Sequence, residues 1–96
     1  APSGPPRILK PTYELLGEIY LNAEQPIQAY EKFSISLLRH PNRFRSLIGL
    51  ARAANAKGDK KTAKEKYKQL LIQLENAMSD LPELKEAKSF LKKTKI

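Results

Sequence analysis

The chain repeats itself. Shifted by 34 residues it overlays its own later half: Ala29 falls on Ala63, Phe33 on Tyr67, Leu16 on Leu50 and Gly17 on Ala51. Tyr13 falls on Leu47 and Tyr20 on Ala54. A period of this size restricts the chain to stacked supersecondary units, none of which can bury its apolar face alone.

The units read as helical. From Thr12 to about Lys93 apolar residues recur at helical spacing, and nothing reads convincingly as strand. Breaks fall at "NAEQP" (22–26), "RHPNR" (39–43), "AKGDK" (56–60) and "MSDLP" (78–82). The expectation is an all-α domain of five helices near residues 12–23, 26–39, 43–57, 60–76 and 81–94. Pro26 suits the first turn of the second helix, where its missing N–H costs nothing. Asp80 with Glu83 makes a capping box for the fifth. Residues 1–11 hold four prolines and one glycine and read as an extended linker. The chain starts without Met, which fits a piece of something longer.

Gly17 stands mid-helix, where glycine costs roughly 1 kcal/mol against alanine. The overlay explains it. Small residues at a close helix crossing let two backbones approach, so Gly17 is expected against Ala29, and Ala51 against Ala63. Tyr13, Leu16, Tyr20 and Phe33 fill the flanks of the first unit; Leu47, Leu50, Tyr67 and Leu70 fill those of the second. On this reading leucine at 17 forces the helices apart, while alanine there is mild.

Composition narrows the chemistry. The 96 residues contain no cysteine, so neither disulfides nor thiolate chemistry is open to them. The net charge of +8 attracts acidic partners in general. No apolar run reaches the roughly 18 residues of a membrane span. His40, the single histidine, follows Arg39 at a helix end, where its charge complements the helix dipole. One histidine without cysteine offers no zinc set, and no metal or other cofactor is expected. Glu14 and Glu18 share a helix face and could form half of an acid/base pair, but a solvated or salt-bridged face is the simpler reading. "GDKKT" (58–62) lacks the earlier glycine and the strand of a phosphate loop and reads as a turn. No catalytic constellation is visible, so an enzyme is not expected. Lys61, Lys64 and Lys68 line the fourth helix opposite Ala63, Tyr67, Leu70 and Leu74. That stripe reads first as a solvated face. Its alternative is a basic surface for nucleic acid or an acidic membrane, although no aromatics interleave to stack bases.

The first unit reads Tyr13-x2-Leu16-Gly17-x2-Tyr20, then Ala29-x3-Phe33, then Pro41; the second keeps Leu50, Ala51, Ala63 and Tyr67 and adds a Gly58-Asp59 turn. This resembles the tetratricopeptide repeat (TPR) family, with Tyr13 in place of tryptophan. It departs at Ala54, where an aromatic is usual, and at Glu75, where proline is usual. The resemblance implies two repeats, 10–43 and 44–77, followed by a capping helix, 81–94, in an α-solenoid fragment. It also implies a protein-binding or scaffolding role, with the first helix of each pair lining a concave groove. The groove would be lined by Glu14, Glu18, Leu21 and Asn22, then by Arg45, Ile48, Arg52 and Asn55. An extended peptide or a helix suits so mixed a floor. Glu18 and Arg52 hold equivalent places and are expected to pair.

The two ends differ. The fifth helix carries Leu81, Leu84, Ala87 and Leu91 on one side and mostly lysine and glutamate elsewhere, as a cap does. The first helix is apolar nearly all round, which predicts burial on several sides. Ile27, Ile35 and Leu38 lie roughly opposite the core face of the second helix and are expected to form an N-terminal interface. Three covers are open: an upstream repeat, the linker through Ile8 and Leu9, or a second copy of the chain. "HPNRFRSL", "GLARAA" and the final cap are similar to the C-terminal end of longer bacterial repeat proteins. Neither the partner nor the compartment is named by the sequence.

Overall fold

The computed structural model describes residues 11–74 and 81–94. Five α-helices follow one another: α1 (Thr12–Asn22), α2 (Pro26–Arg39), α3 (Phe44–Ala56), α4 (Lys60–Leu74) and α5 (Pro82–Thr94). Each helix packs on the next, and α1 also meets α3. Pro26 occupies the first turn of α2, as its missing donor requires. Of the linker expected over 1–11 only Pro11, which is extended, is described; residues 1–10, the Asp80 half of the capping box and the expected end of α4 near residue 76 lie outside the described residues.

The two helix hairpins close with the same hydrogen bonds, 34 residues apart. Ala23 N–H donates to Ile19 O, Glu24 N–H to Leu21 O and Gln25 N–H to Tyr20 O. In the second turn Lys57 N–H donates to Ala53 O, Gly58 N–H to Asn55 O and Asp59 N–H to Ala54 O. Both are Schellman closures, which need a left-handed residue after the helix. Gly58 supplies it at φ 91°, and Glu24 supplies it at φ 61° with a side chain attached. Asp59 then starts α4, its carboxylate accepting from Thr62 N–H at 3.1 Å. Those bonds, from the Thr62 side chain and backbone, hold the Asp59 carboxyl below the ordinary range.

The spine of the fold is α3. Eight of its thirteen residues are buried, including Gly49, Ala51, Ala53 and Ala54. Leu50 and Ala53 join Ala29 and Phe33 in one cluster. Leu47, Ile48, Ala51 and Ala54 join Ala63, Tyr67, Leu70, Leu84 and Ala87 in the other. By contrast, α1 buries only Glu14 and Gly17, so the expectation of an all-round buried first helix is not met.

Gly17 is tightly packed, but against an aromatic ring and not the expected Ala29. A Cβ at Gly17 would lie 2.8 Å from the Phe33 ring, and one at Gly49 would lie closer still to the same ring. Phe33, fully buried, is therefore wedged between α1 and α3 with a glycine on each side. Alanine at 17 cannot be mild in that space: the ring must move.

Candidate functional site

The eight residues expected to line a groove do not behave alike. Glu14 and Ile48, at 0 % and 1 % exposure, are core residues that no partner can reach. Glu18, Leu21 and Asn55 are half-buried, and Asn22 is exposed. Arg45 and Arg52 are exposed, but their guanidinium groups are bound by the chain's own fifth helix.

Glu14 anchors a polar chain through the domain. Arg43 grips it with both ends of its fork, Nε to Oε1 at 3.0 Å and Nη2 to Oε2 at 2.9 Å. Ser46 Oγ donates its one hydrogen to Glu14 Oε1 at 2.6 Å, so Ser36 Oγ donates to Ser46 Oγ, also at 2.6 Å. Glu14, Ser36 and Ser46 are each fully buried. The chain joins α1, α2 and α3 where Ile48, the residue 34 places on from Glu14, is simply apolar. A buried carboxylate is tolerable only with such partners.

The second unit is closed by carboxylates of α5. Arg45 Nη1 donates to Glu83 Oε2 at 2.7 Å. Arg52 donates from Nε to Glu86 Oε2 at 2.9 Å and from Nη2 to Oε1 at 2.6 Å. Tyr67 donates its hydroxyl to Glu86 Oε2 at 2.6 Å and stacks on Phe90, with ring centres 4.7 Å apart. Burial raises the Glu86 carboxyl, but its bonds from Arg52 and Tyr67 outweigh that and hold it below its ordinary value. Burial, then the bond to Glu86, pushes the Tyr67 phenol well above its ordinary value. The expected Glu18–Arg52 pair is thus replaced by Arg52–Glu86, one period further along. Among the described residues, buried Glu83 Oε1 has no hydrogen-bond partner.

The arginine-rich turn at 39–45 borders a depression of about 480 Å³. Its cations are engaged within the chain: Arg43 with Glu14, Arg45 with Glu83, and Arg39 over the Tyr13 ring at 5.1 Å. His40 caps the end of α2 on the surface. Among the described residues no group of three or more His, Cys, Asp or Glu could hold a metal, and no helix is long and apolar enough to cross a membrane.

Exposed apolar side chains gather on the first hairpin. Leu15 (48 %), Ile19 (52 %), Ile27 (68 %) and Leu38 (82 %) belong to it; Ile72 on α4 is the fifth large hydrophobic exposed. Ile35 is half-buried. The 34-residue frame divides them into two kinds. Ile27 and Leu38 correspond to Lys61 and Ile72, which are also exposed although α4 is packed by both α3 and α5. Those places face solvent in both hairpins, so Ile27 and Leu38 do not lie on a stacking end as expected. Leu15 and Ile19 correspond to Gly49 and Ala53, which are buried under α2. The places open in the first hairpin but covered in the second are therefore on α1. Comparison with protein-family models, curated proteins and solved structures finds no match.

Proposed function

We propose that the chain is a TPR-like helical-repeat module that binds a protein partner through its first hairpin and is not itself an enzyme. The observation that carries this reading is that Leu15 and Ile19 of α1 stand open while their counterparts 34 residues on, Gly49 and Ala53, are covered by α2. Apolar surface kept open in one region and covered in another is the usual mark of an interface. Glu18, Leu21 and Asn22 border it on the groove side and remain reachable. To test it, a photo-crosslinking side chain is placed at Asn22, at Leu38 or at Lys64 and irradiated in an extract of cells that express the protein. Adducts to a discrete protein are expected from Asn22 or Leu38 and not from Lys64. Equal labelling from all three positions would sink the proposal.

A second reading rests on charge. From Pro11 to His40 the chain has two basic residues against four acidic, whereas the rest of the described residues have thirteen against four. So lopsided a field suits a polyanion, either nucleic acid or an acidic membrane. Binding to DNA or anionic vesicles that fades above moderate salt, and that Leu15→Glu leaves unchanged, would favour it.

A further inference from the structure

We infer that the C-terminal end of the stack, where α4 and α5 carry two rows of lysine, is a seat for the phosphate backbone of a nucleic-acid duplex. The inference rests on the charge reading above and narrows it to one end of the molecule and one polyanion.

The 34-residue frame brings the two rows together. Lys64, Lys85 and Lys88 answer to Tyr30, Ala51 and Ala54. Where the stack continues, those places are covered. Ala51 and Ala54 are buried in one cluster with Ala63 and Tyr67 of α4, and Tyr30 packs against the same core. Where the stack stops, all three places are exposed lysines. They mark the side of α4 and α5 on which a further helix would lie. Lys61 and Lys68 stand one turn either side of Lys64, and Lys92 one turn beyond Lys88; all are exposed. Each helix thus carries three lysines at the same spacing, in a row about 10 Å long. The two helices pack side by side, so the rows border one surface.

A cap needs only polar side chains at such an end; charge of one sign makes it a site for the other. Together α4 and α5 hold nine lysines against three glutamates. Two of the three, Glu83 and Glu86, are spent on Arg45 and Arg52 of α3. Among the described residues none of the six lysines forms an ion pair. The side chains around them choose among polyanions. No exposed aromatic stands on α4 or α5 to stack bases, as capture of a single strand requires. Ile72 is the one large hydrophobic exposed on these helices, too little to bury in a bilayer. What is left is a set of point charges, which suits phosphate oxygens, and a duplex presents these at the highest density.

The test titrates the whole protein into a labelled DNA duplex of arbitrary sequence and follows fluorescence anisotropy from about 50 to about 200 mM salt. Six phosphate contacts should make the affinity fall ~1,000-fold over that range. In the triple variant Lys64→Gln, Lys85→Gln, Lys88→Gln the fall should shrink to roughly 40-fold, as three contacts would give. A control triple, Lys32→Gln, Lys57→Gln, Lys66→Gln, removes the same charge from lysines held by Glu31, the Tyr30 ring and Gln69, and should keep the parent's salt dependence. Thermal melting checks that both triples stay folded. Equal effects of the two triples would overturn the lysine end while leaving the charge reading intact. Tighter binding to phosphatidylserine vesicles than to the duplex at one salt concentration would overturn the duplex and leave that reading standing too. No salt-sensitive binding to either would overturn both.

Discussion

The first and second hairpins share one frame and differ in what they do with it. Their turns share three backbone hydrogen bonds, 34 residues apart, and Ala29 and Ala63 are buried alike. The second is then roofed by α5, whose Leu84 and Ala87 enter its core and whose Glu83 and Glu86 bind its arginines. The first keeps Leu15 and Ile19 open, carries a carboxylate in its core and turns its corner on a glutamate. The frame fixes where backbones go; the side chains at a few equivalent places decide whether a surface is closed, polar or available. Three sets of substitutions test this contrast.

The largest effect is expected at the buried carboxylate. Arg43→Ala removes the fork that holds Glu14, and should destabilise by ~3 kcal/mol, the low end for stripping one partner from a buried pair because Arg43 is itself a third exposed. Adding Glu14→Leu should restore much of the loss, since Ile48 shows that the equivalent place can be apolar. Urea unfolding of both variants measures it. No loss in the single variant, or no recovery in the double, would mean that the two cores are not interchangeable there.

The next concerns the glycine pair. Gly49→Ala should cost ~2 kcal/mol, within the range for overpacking, and Gly17→Ala should cost less because its Cβ would sit farther from Phe33. Melting temperatures of the two variants rank them, and Phe33→Leu should relieve either. If both variants melt with the parent, the wedge is looser than described.

The smallest is a gain. Glu24 holds the left-handed conformation that Gly58 holds in the other turn. Glu24→Gly should stabilise by ~1 kcal/mol, since a non-glycine residue pays about that to stand there. A lower melting temperature would show that the Glu24 side chain does something the turn alone does not.

Much of the fold was legible because proline, glycine and asparagine punctuate a strict period. The starts of α1, α2 and α4 were read at the observed residues, and those of α3 and α5 one residue early. The site was less legible, for physical reasons that attach to particular residues. A lone carboxylate at Glu14 reads as surface, because it belongs in water; its place against Ile48 in the frame, with Ser36, Arg43 and Ser46 at hand, is the signal that it is buried. Gly49 is a mid-helix glycine like Gly17, but the sequence gives it no partner. It answers to Leu15 in the frame, and only contact with α2 gives it meaning. Arg45 and Arg52, expected to line a groove, are bound instead by α5, which the sequence announces in Leu81 and Leu84, each 34 residues on from Leu47 and Leu50.

The Phe33 wedge also governs how the molecule comes apart. In a solenoid whose interfaces use separate residues, stability adds up unit by unit and an end can fray while the rest holds. Here one ring is a wall of two joints, α1 on α2 and α2 on α3. Opening either joint exposes the side chain that fills the other. The two joints of α2 are therefore coupled through one side chain, while the α3–α4–α5 core, which does not use Phe33, is held by residues of its own.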